Sequence, residues 1–131
     1  MKYNTILSLL CLNMLFGCVR SEAQQAVYRK VSAEEAYKMM SELDDYVLLD
    51  VRTEAEYRQQ RIAGAILIPD FELKERAAVE LPDKSKVIFV YCRSGARSAN
   101  AAKVLVGLGY SNVYDFGGII NWPYETVKSE Q

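Results

Sequence analysis

The sequence predicts an α/β domain in three layers, with a five-stranded, mostly parallel sheet and helices on both of its faces. Short apolar runs alternate along the chain with segments of helical pattern. The runs are almost continuously apolar, as expected for strands that are buried on both faces. A length of 131 residues, half of them hydrophobic and a quarter charged, is that of one globular domain.

Local signals place the elements in order. Strands are predicted over five segments: Val27–Val31, Tyr46–Val51, Ala65–Ile68, Lys86–Tyr91 and Asn112–Asp115. Helices are predicted from Ser32 to Glu42, from Thr53 through Tyr57, from Phe71 to Glu80 and from Ser98 to Leu108. Ser32 and Glu35 form a capping-box pattern, and Pro69 ends the third strand. Gly109 stands where a helix ends in a left-handed residue.

The N-terminus has the pattern of an export signal. Its apolar run, Ile6–Phe16, is too short to span a bilayer but has the length of a signal's apolar region. The run ends in Leu15–Cys18, which resembles the site at which bacterial lipoproteins are cut and lipidated. We therefore predict a signal peptide over residues 1–17, a lipidated Cys18 with a tether over 18–26, and a folded domain over 27–128.

Lipidation of Cys18 would anchor the protein in the bacterial cell envelope, on the periplasmic or outer-membrane side. Cleavage near Ala23, where small residues also fit a signal peptidase, is the alternative and would give a soluble secreted or periplasmic protein. With Cys18 lipidated and Cys11 removed, Cys92 has no partner for a disulfide within the chain.

Composition excludes several kinds of function. The chain contains no histidine, which rules out Cys-His and Ser-His nucleophilic sites and histidine-ligated metals. A net charge of −1 gives no indication of a nucleic-acid partner. We expect neither a cofactor nor a metal, and a monomeric protein.

The candidate catalytic residue is Cys92, which directly follows the fourth predicted strand. Sites in open parallel sheets form at the carboxyl ends of the strands. The loop after Cys92 leads into a helix, and both a helix N-terminus and a glycine-containing loop present N–H groups to anions. The predicted substrate-binding residues are those of this loop: Arg93, Ser94, Gly95, Ala96, Arg97 and Ser98.

Typical energies indicate which groups stabilise a thiolate at this position. A helix dipole contributes about 0.3–1 kcal/mol, whereas a hydrogen bond to a charged group contributes about 1.5–3 kcal/mol. We therefore expect the loop amides to contribute most, with Arg93, Arg97 and the dipole secondary.

The segment Cys92–Ser98 resembles the active loop of rhodanese-like sulfurtransferases. Three further motifs resemble the same family in the same order: Leu48–Arg52 with Glu54 and Tyr57, Ile62–Pro69, and Gly117–Gly118 with Trp122. The resemblance covers Val27 to Trp122. It implies a five-stranded α/β domain in which Cys92 takes a sulfane sulfur from a small anionic donor such as thiosulfate and passes it to cyanide or a thiol. It also implies that Asp50 and Arg52 lie beside the loop; they either hold its shape or form an ion pair or a cap off the sheet.

The chain departs from the family in two places. Gln60–Arg61 replaces the usual Gly-His, at a position we expect to be structural or at the rim of the site. The tail Pro123–Val127 is short and is expected to alter one wall of the site.

Two other functions compete with sulfur transfer to a small acceptor. A protein-to-protein persulfide carrier in the envelope is the first. A thiol phosphatase is the second and weaker one. Its loop has a cysteine, five other residues and then an arginine. Here Arg97 is already the fifth residue after Cys92, so the loop is one residue short.

Overall fold

The structure is a computed structural model and describes residues 27–130. The predicted signal peptide, Cys18 and the tether lie outside the described residues. Seven strands occur in this part of the chain: β1 (Arg29–Lys30), β2 (Val47–Asp50), β3 (Arg61–Ile62), β4 (Ile66–Leu67), β5 (Ile88–Cys92), β6 (Val113–Gly118) and β7 (Thr126–Val127). Its four α-helices are α1 (Ala33–Glu42), α2 (Glu54–Gln59), α3 (Leu73–Glu80) and α4 (Ala96–Gly107). No helix within residues 27–130 is long and apolar enough to cross a membrane.

Five of the strands form one parallel sheet in the order β1-β6-β5-β2-β4. The central strand β5 is buried along its whole length and divides the core in two. Ile88, Val90 and Cys92 pack with side chains of α3 and α4. Phe89 and Tyr91 pack with side chains of α1 on the opposite face. The predicted fold class, a parallel five-stranded sheet with helices on both faces, is confirmed.

The predicted starts of the first two helices and the glycine after the fourth are confirmed. Ser32 caps α1 through a capping box with Glu35, and Thr53 caps α2 through the same arrangement with Glu56. Gly109 follows α4 with a φ of 98°, in the left-handed region that glycine adopts at little cost.

Several boundaries differ from the prediction. The third predicted strand, Ala65–Ile68, is reduced to β4 at the edge of the sheet, where Ile66 is 41% exposed rather than buried. A continuous apolar run does not reveal whether its strand lies at the centre or the edge. Helix α4 begins at Ala96, two residues before the predicted start, because Gly95 rather than a polar side chain occupies the N-cap position. A 3₁₀ turn, Asp70–Glu72, precedes α3.

A second, two-stranded sheet was not predicted. Strands β3 and β7 pair antiparallel, with Arg61 opposite Val127 and Ile62 opposite Thr126. The Gln60 side-chain amide donates to the Thr126 hydroxyl at 3.1 Å. This ribbon carries the C-terminal tail back to the region that follows α2, so Gln60 and Arg61 have a structural role there.

Candidate active site

Cys92 is the last residue of β5, at the carboxyl edge of the sheet, and only 1% of its surface is exposed. The prediction placed it just after the strand. The pairing of β5 with β6 is irregular at this point, since Val90 lies opposite Asp115 but Cys92 lies opposite Gly118. Strand β6 thus carries one extra residue here, which is a bulge of the kind found beside active sites.

A backbone amide is directed at the sulfur of Cys92. The N–H of Gly95 donates to Cys92 Sγ at an N···S distance of 3.0 Å. Gly95 has a φ of 113°, which a residue with a side chain rarely adopts. The buried Ser98 hydroxyl lies 3.6 Å from Sγ and also within 3.1 Å of the Gly95 carbonyl oxygen. The loop therefore closes around the sulfur at the first turn of α4.

The loop rests on Gly118. A Cβ added to Gly118 would lie 2.1 Å from the Arg93 carbonyl oxygen and 2.6 Å from the Ser94 Cα. The preceding turn is fixed by Asp115, whose carboxylate accepts the Gly117 N–H at 2.9 Å. Asp115 is fully buried, and its second carboxylate oxygen has no hydrogen-bond partner among the described residues. The end of β6 is thus a floor against which the loop backbone packs.

The two arginines of the loop have different surroundings. Arg97 forms a bidentate ion pair with Glu56, with both N···O distances at 2.8 Å. Its charge is therefore largely compensated. Arg93 is exposed and forms no ion pair with any residue between 27 and 130. Ser94 and Ala96 also lie on the exposed side of the loop.

Glu56 links the start of α2 to the start of α4. It completes the capping box of α2 with Thr53 and binds the first turn of α4 through Arg97. The hydrogen bonds from Arg97, followed by those from Thr53, outweigh partial burial and lower the pKa of Glu56 from 4.5 to about 2. The carboxylate therefore remains charged throughout the physiological pH range.

Asp50 and Arg52 form a buried ion pair, with Arg52 Nη2 2.7 Å from Asp50 Oδ2. Burial alone would lower the pKa of Arg52, but hydrogen bonds to Asp50 and the Asp50 charge raise it. Arg52 also donates to the carbonyl of Gln60 at the end of α2. Neither side chain makes a direct hydrogen bond to residues 93–97, so any effect of the pair on the loop is indirect.

These features match those of known proteins. A family model described as a rhodanese-like domain matches residues 32–123. The chain belongs to the rhodanese-like family. Among its relatives is a thiosulfate sulfurtransferase, PspE, of Escherichia coli K12, which is 42% identical over 80 residues, or 61% of this chain and 77% of that protein. A sulfurtransferase of Allochromatium vinosum is 36% identical over 94 residues, covering 71% and 86% of the two chains.

Solved structures give the same result. A structure described as a rhodanese with anions from E. coli is 38% identical, with a TM-score of 0.61, and covers 65% of this chain and all of that one. A rhodanese-related protein of Thermoplasma volcanium is 34% identical with a TM-score of 0.67, covering 78% of this chain and all of that one.

Sequence reasoning missed two residues of this rhodanese-like site. Glu56 was assigned only to a helix start, although its position three residues after Thr53 marks a capping box. Its pairing with Arg97 spans 41 residues of sequence and leaves no local signal. Asp115 was assigned to a strand; an acidic residue in an otherwise apolar run just before Gly117–Gly118 is the signal that could have identified it. Within residues 27–130, no three Cys, Asp or Glu side chains are grouped closely enough to hold a metal ion.

The close approach of Gly118 to the loop predicts that Gly118→Ala inactivates the protein. The added methyl group must push the Arg93–Ser94 backbone away by about an ångström, and misplacement on that scale costs about 100-fold in rate. Turnover of thiosulfate with cyanide measures the effect. Gly107→Ala is the matched control, because its added Cβ meets no heavy atom within 4 Å. A folded Gly118→Ala protein of normal activity would show that the loop does not need this floor.

The Glu56–Arg97 pair predicts a specific dependence of stability on pH. The unfolded chain protonates Glu56 near pH 4.5, whereas the folded protein keeps it ionised down to about pH 2. The stabilisation is thus complete above about pH 4.5 and is lost as the pH falls toward 2. Wild type should unfold at a higher urea concentration than Glu56→Gln at pH 7, and the difference should shrink between pH 4.5 and 2. Glu54→Gln, which removes the same charge from an exposed pair with Arg58, should show little difference at any pH. A constant gap for Glu56→Gln would contradict the assignment.

Proposed function

We propose that this protein is a sulfurtransferase that moves a sulfane sulfur from a small anionic donor such as thiosulfate to cyanide or a thiol through a persulfide on Cys92. Membership of the rhodanese-like family and the names of the relatives support sulfurtransferase activity. The observation that carries the proposed mechanism is the Gly95 N–H, which points at Cys92 Sγ from 3.0 Å. Such a donor stabilises a negatively charged sulfur better than a neutral thiol.

In the first half-reaction the Cys92 thiolate attacks the outer sulfur of thiosulfate. A new S–S bond forms at Cys92, the S–S bond of thiosulfate breaks, and sulfite leaves with the bonding electron pair. Arg93 is exposed on the loop and without an ion pair among residues 27–130, so it is available to meet the incoming anion. Arg97 is engaged by Glu56 and acts instead by fixing the loop.

In the second half-reaction the acceptor attacks the outer sulfur of the persulfide. With cyanide the products are thiocyanate and the free Cys92 thiolate. With a thiolate acceptor a new persulfide forms and the Cys92 thiolate is again released. Neither step transfers a proton that a general base must remove, which is consistent with a chain that contains no histidine.

Mass spectrometry of the intact protein tests the persulfide. After incubation with thiosulfate, wild type should gain the mass of one sulfur atom, and cyanide should remove it. Cys92→Ser should gain nothing, since no other cysteine lies within residues 27–130. Ser41→Ala is the control, because Ser41 is exposed on α1 and its hydroxyl donates to the Lys38 carbonyl of the same helix, so this protein should still be loaded. Loading of Cys92→Ser, or no loading of wild type, would overturn the proposed mechanism.

We further propose that the protein is anchored in the bacterial cell envelope by lipid on Cys18. The proposal rests on the Leu15–Cys18 pattern at the end of a short apolar run. The alternative, cleavage near Ala23, would leave a soluble protein.

Phase partition distinguishes these two outcomes. Expressed with its full N-terminus in a Gram-negative host, wild type should partition into detergent, whereas Cys18→Ser should be lost from the detergent phase while purified Cys18→Ser keeps its turnover. Cys11→Ser is the matched control and should behave as wild type, since Cys11 lies in the segment that is removed. A Cys18→Ser protein that still partitions into detergent, or a wild type that begins after Ala23, would contradict lipidation.

A further inference from the structure

A groove of about 840 Å³ lies on the α1 side of the central sheet, between α1 and the C-terminal tail. Met40, Leu48 and Ile62 line its buried side and belong to the half of the core that packs with α1. Cys92 belongs to the other half, and no residue of Cys92–Ser98 lines this groove. Cavities of about 300–1,000 Å³ typically hold ligands of drug size. The groove therefore has room for a ligand that does not take part in the chemistry at the sulfur.

Aromatic side chains form the outer part of the groove. Tyr37 is 47% exposed, and its ring stacks on that of Tyr124 with the centroids 3.8 Å apart. Trp122 meets both rings edge-on, at centroid distances of 5.9 and 5.0 Å. Tyr46 and Pro123 line the groove beside them. Because the stacked rings hold one another in place, a ligand can contact them with little further loss of side-chain entropy.

The tyrosine hydroxyls of the groove are available as hydrogen-bond donors. Those of Tyr37, Tyr46 and Tyr124 form no hydrogen bond with any residue from 27 to 130. A segment in the polyproline II conformation needs such donors, because it has no internal hydrogen bonds and its prolines supply carbonyls but no N–H groups. A helix needs them less, since most of its carbonyls accept from its own backbone. The lining therefore fits a proline-rich segment, a class of ligand that binds in aromatic-lined grooves.

The charge of the surroundings indicates what else this ligand carries. The two segments that frame the groove, residues 37–46 and 122–125, contain four acidic residues and one lysine. Of these acids only Asp45 forms an ion pair within the described part of the chain, with Lys86. Glu125 lines the groove itself and is exposed. The excess of negative charge favours a ligand with a positive charge.

We propose that this groove is a docking site for a proline-rich segment of a partner protein, in the polyproline II conformation and with a basic residue among its prolines. The prolines pack on the rings of Tyr37, Trp122 and Tyr124, the tyrosine hydroxyls donate to the carbonyls of the segment, and Glu125 pairs with the basic residue. A partner bound there lies on the α1 side of the domain and leaves the Cys92 loop free. The inference does not depend on the proposed sulfur transfer.

Fluorescence of the full-length protein tests this docking site, because Trp122 is the only tryptophan of the chain and lies in the groove. The probes are capped peptides of three repeats of Pro-Pro-Arg, Gly-Gly-Arg or Pro-Pro-Gln. We expect Pro-Pro-Arg to change the emission saturably. Gly-Gly-Arg should bind at least about tenfold more weakly, since a glycine chain loses more conformational entropy and has no rings to pack. Pro-Pro-Gln should bind about two- to fivefold more weakly, the range for one exposed ion pair.

Variants of the groove identify the contacts. Tyr37→Phe keeps the stacked ring and should weaken binding of Pro-Pro-Arg about two- to fivefold through the lost hydroxyl. Tyr37→Ala should weaken it about tenfold or more, as removal of a central aromatic contact does. Glu125→Gln should weaken binding of Pro-Pro-Arg about two- to fivefold and leave that of Pro-Pro-Gln unchanged.

Matched controls lie outside the groove. Phe71→Ala removes an aromatic ring that is 70% exposed, and Glu75→Gln removes an exposed acid from α3. Neither change should alter the affinity for any of the peptides. Loading of the Tyr37→Phe protein with sulfur from thiosulfate should also match wild type, so failure of docking and failure of sulfur transfer are distinguishable.

Four results would overturn the docking proposal. The first is an emission that none of the peptides changes. The second is equal binding of Pro-Pro-Arg and Gly-Gly-Arg, which would make the groove a site for positive charge alone. The third is binding of Pro-Pro-Arg that both Tyr37 variants leave intact. The fourth is self-association in sedimentation that Tyr37→Ala abolishes, because a second copy of the chain would then cover the groove.

Discussion

A thiolate at Cys92 has almost no water around it, so its stability depends on the donors that the backbone brings to the sulfur. The Gly95 N–H is such a donor, and it points directly at the sulfur. It requires a left-handed residue at the start of α4 and a loop that folds back over the end of β5. The bulge of β6 and the absence of a side chain at Gly118 make room for that loop. The hydrogen bond from Gly95 to Cys92 thus depends on the geometry of β5, β6 and the start of α4.

The uncompensated positive charge near the sulfur is smaller than the number of arginines in the sequence implies. Two arginines stand within five residues of Cys92, but Arg97 is neutralised by Glu56 while Arg93 remains exposed. The Glu56 pair fixes the first turn of α4 against the start of α2, so it contributes rigidity rather than attraction for a substrate. Arg52 behaves in the same way, because Asp50 compensates it at the buried end of β2. A count of charges along the chain therefore overestimates the field that an incoming anion meets.

The parts of the fold that local patterns encode were predictable from the sequence. Apolar runs gave the central strands, and the cap residues Ser32 and Thr53 gave two helix starts, because hydrophobic burial and capping act over a few residues. The ribbon of β3 and β7 could not be found in this way, since two-residue strands carry no periodicity. The pairing of Arg97 with Glu56 joins residues 41 positions apart and depends on the folded chain. At the site, the sequence could indicate which loop holds the sulfur but not which of its charges are free.

The central sheet and the ribbon of β3 and β7 differ in how well they tolerate substitutions. The sulfur belongs to the central strand β5, which is buried along its whole length between the two halves of the core. The ribbon is held by the pairing of two two-residue strands and a few side-chain hydrogen bonds at the surface. Substitutions in residues 126–128 can therefore accumulate with little loss of folding stability. Such substitutions would change the surface beside the active loop and leave the hydrogen bond from Gly95 to Cys92 in place.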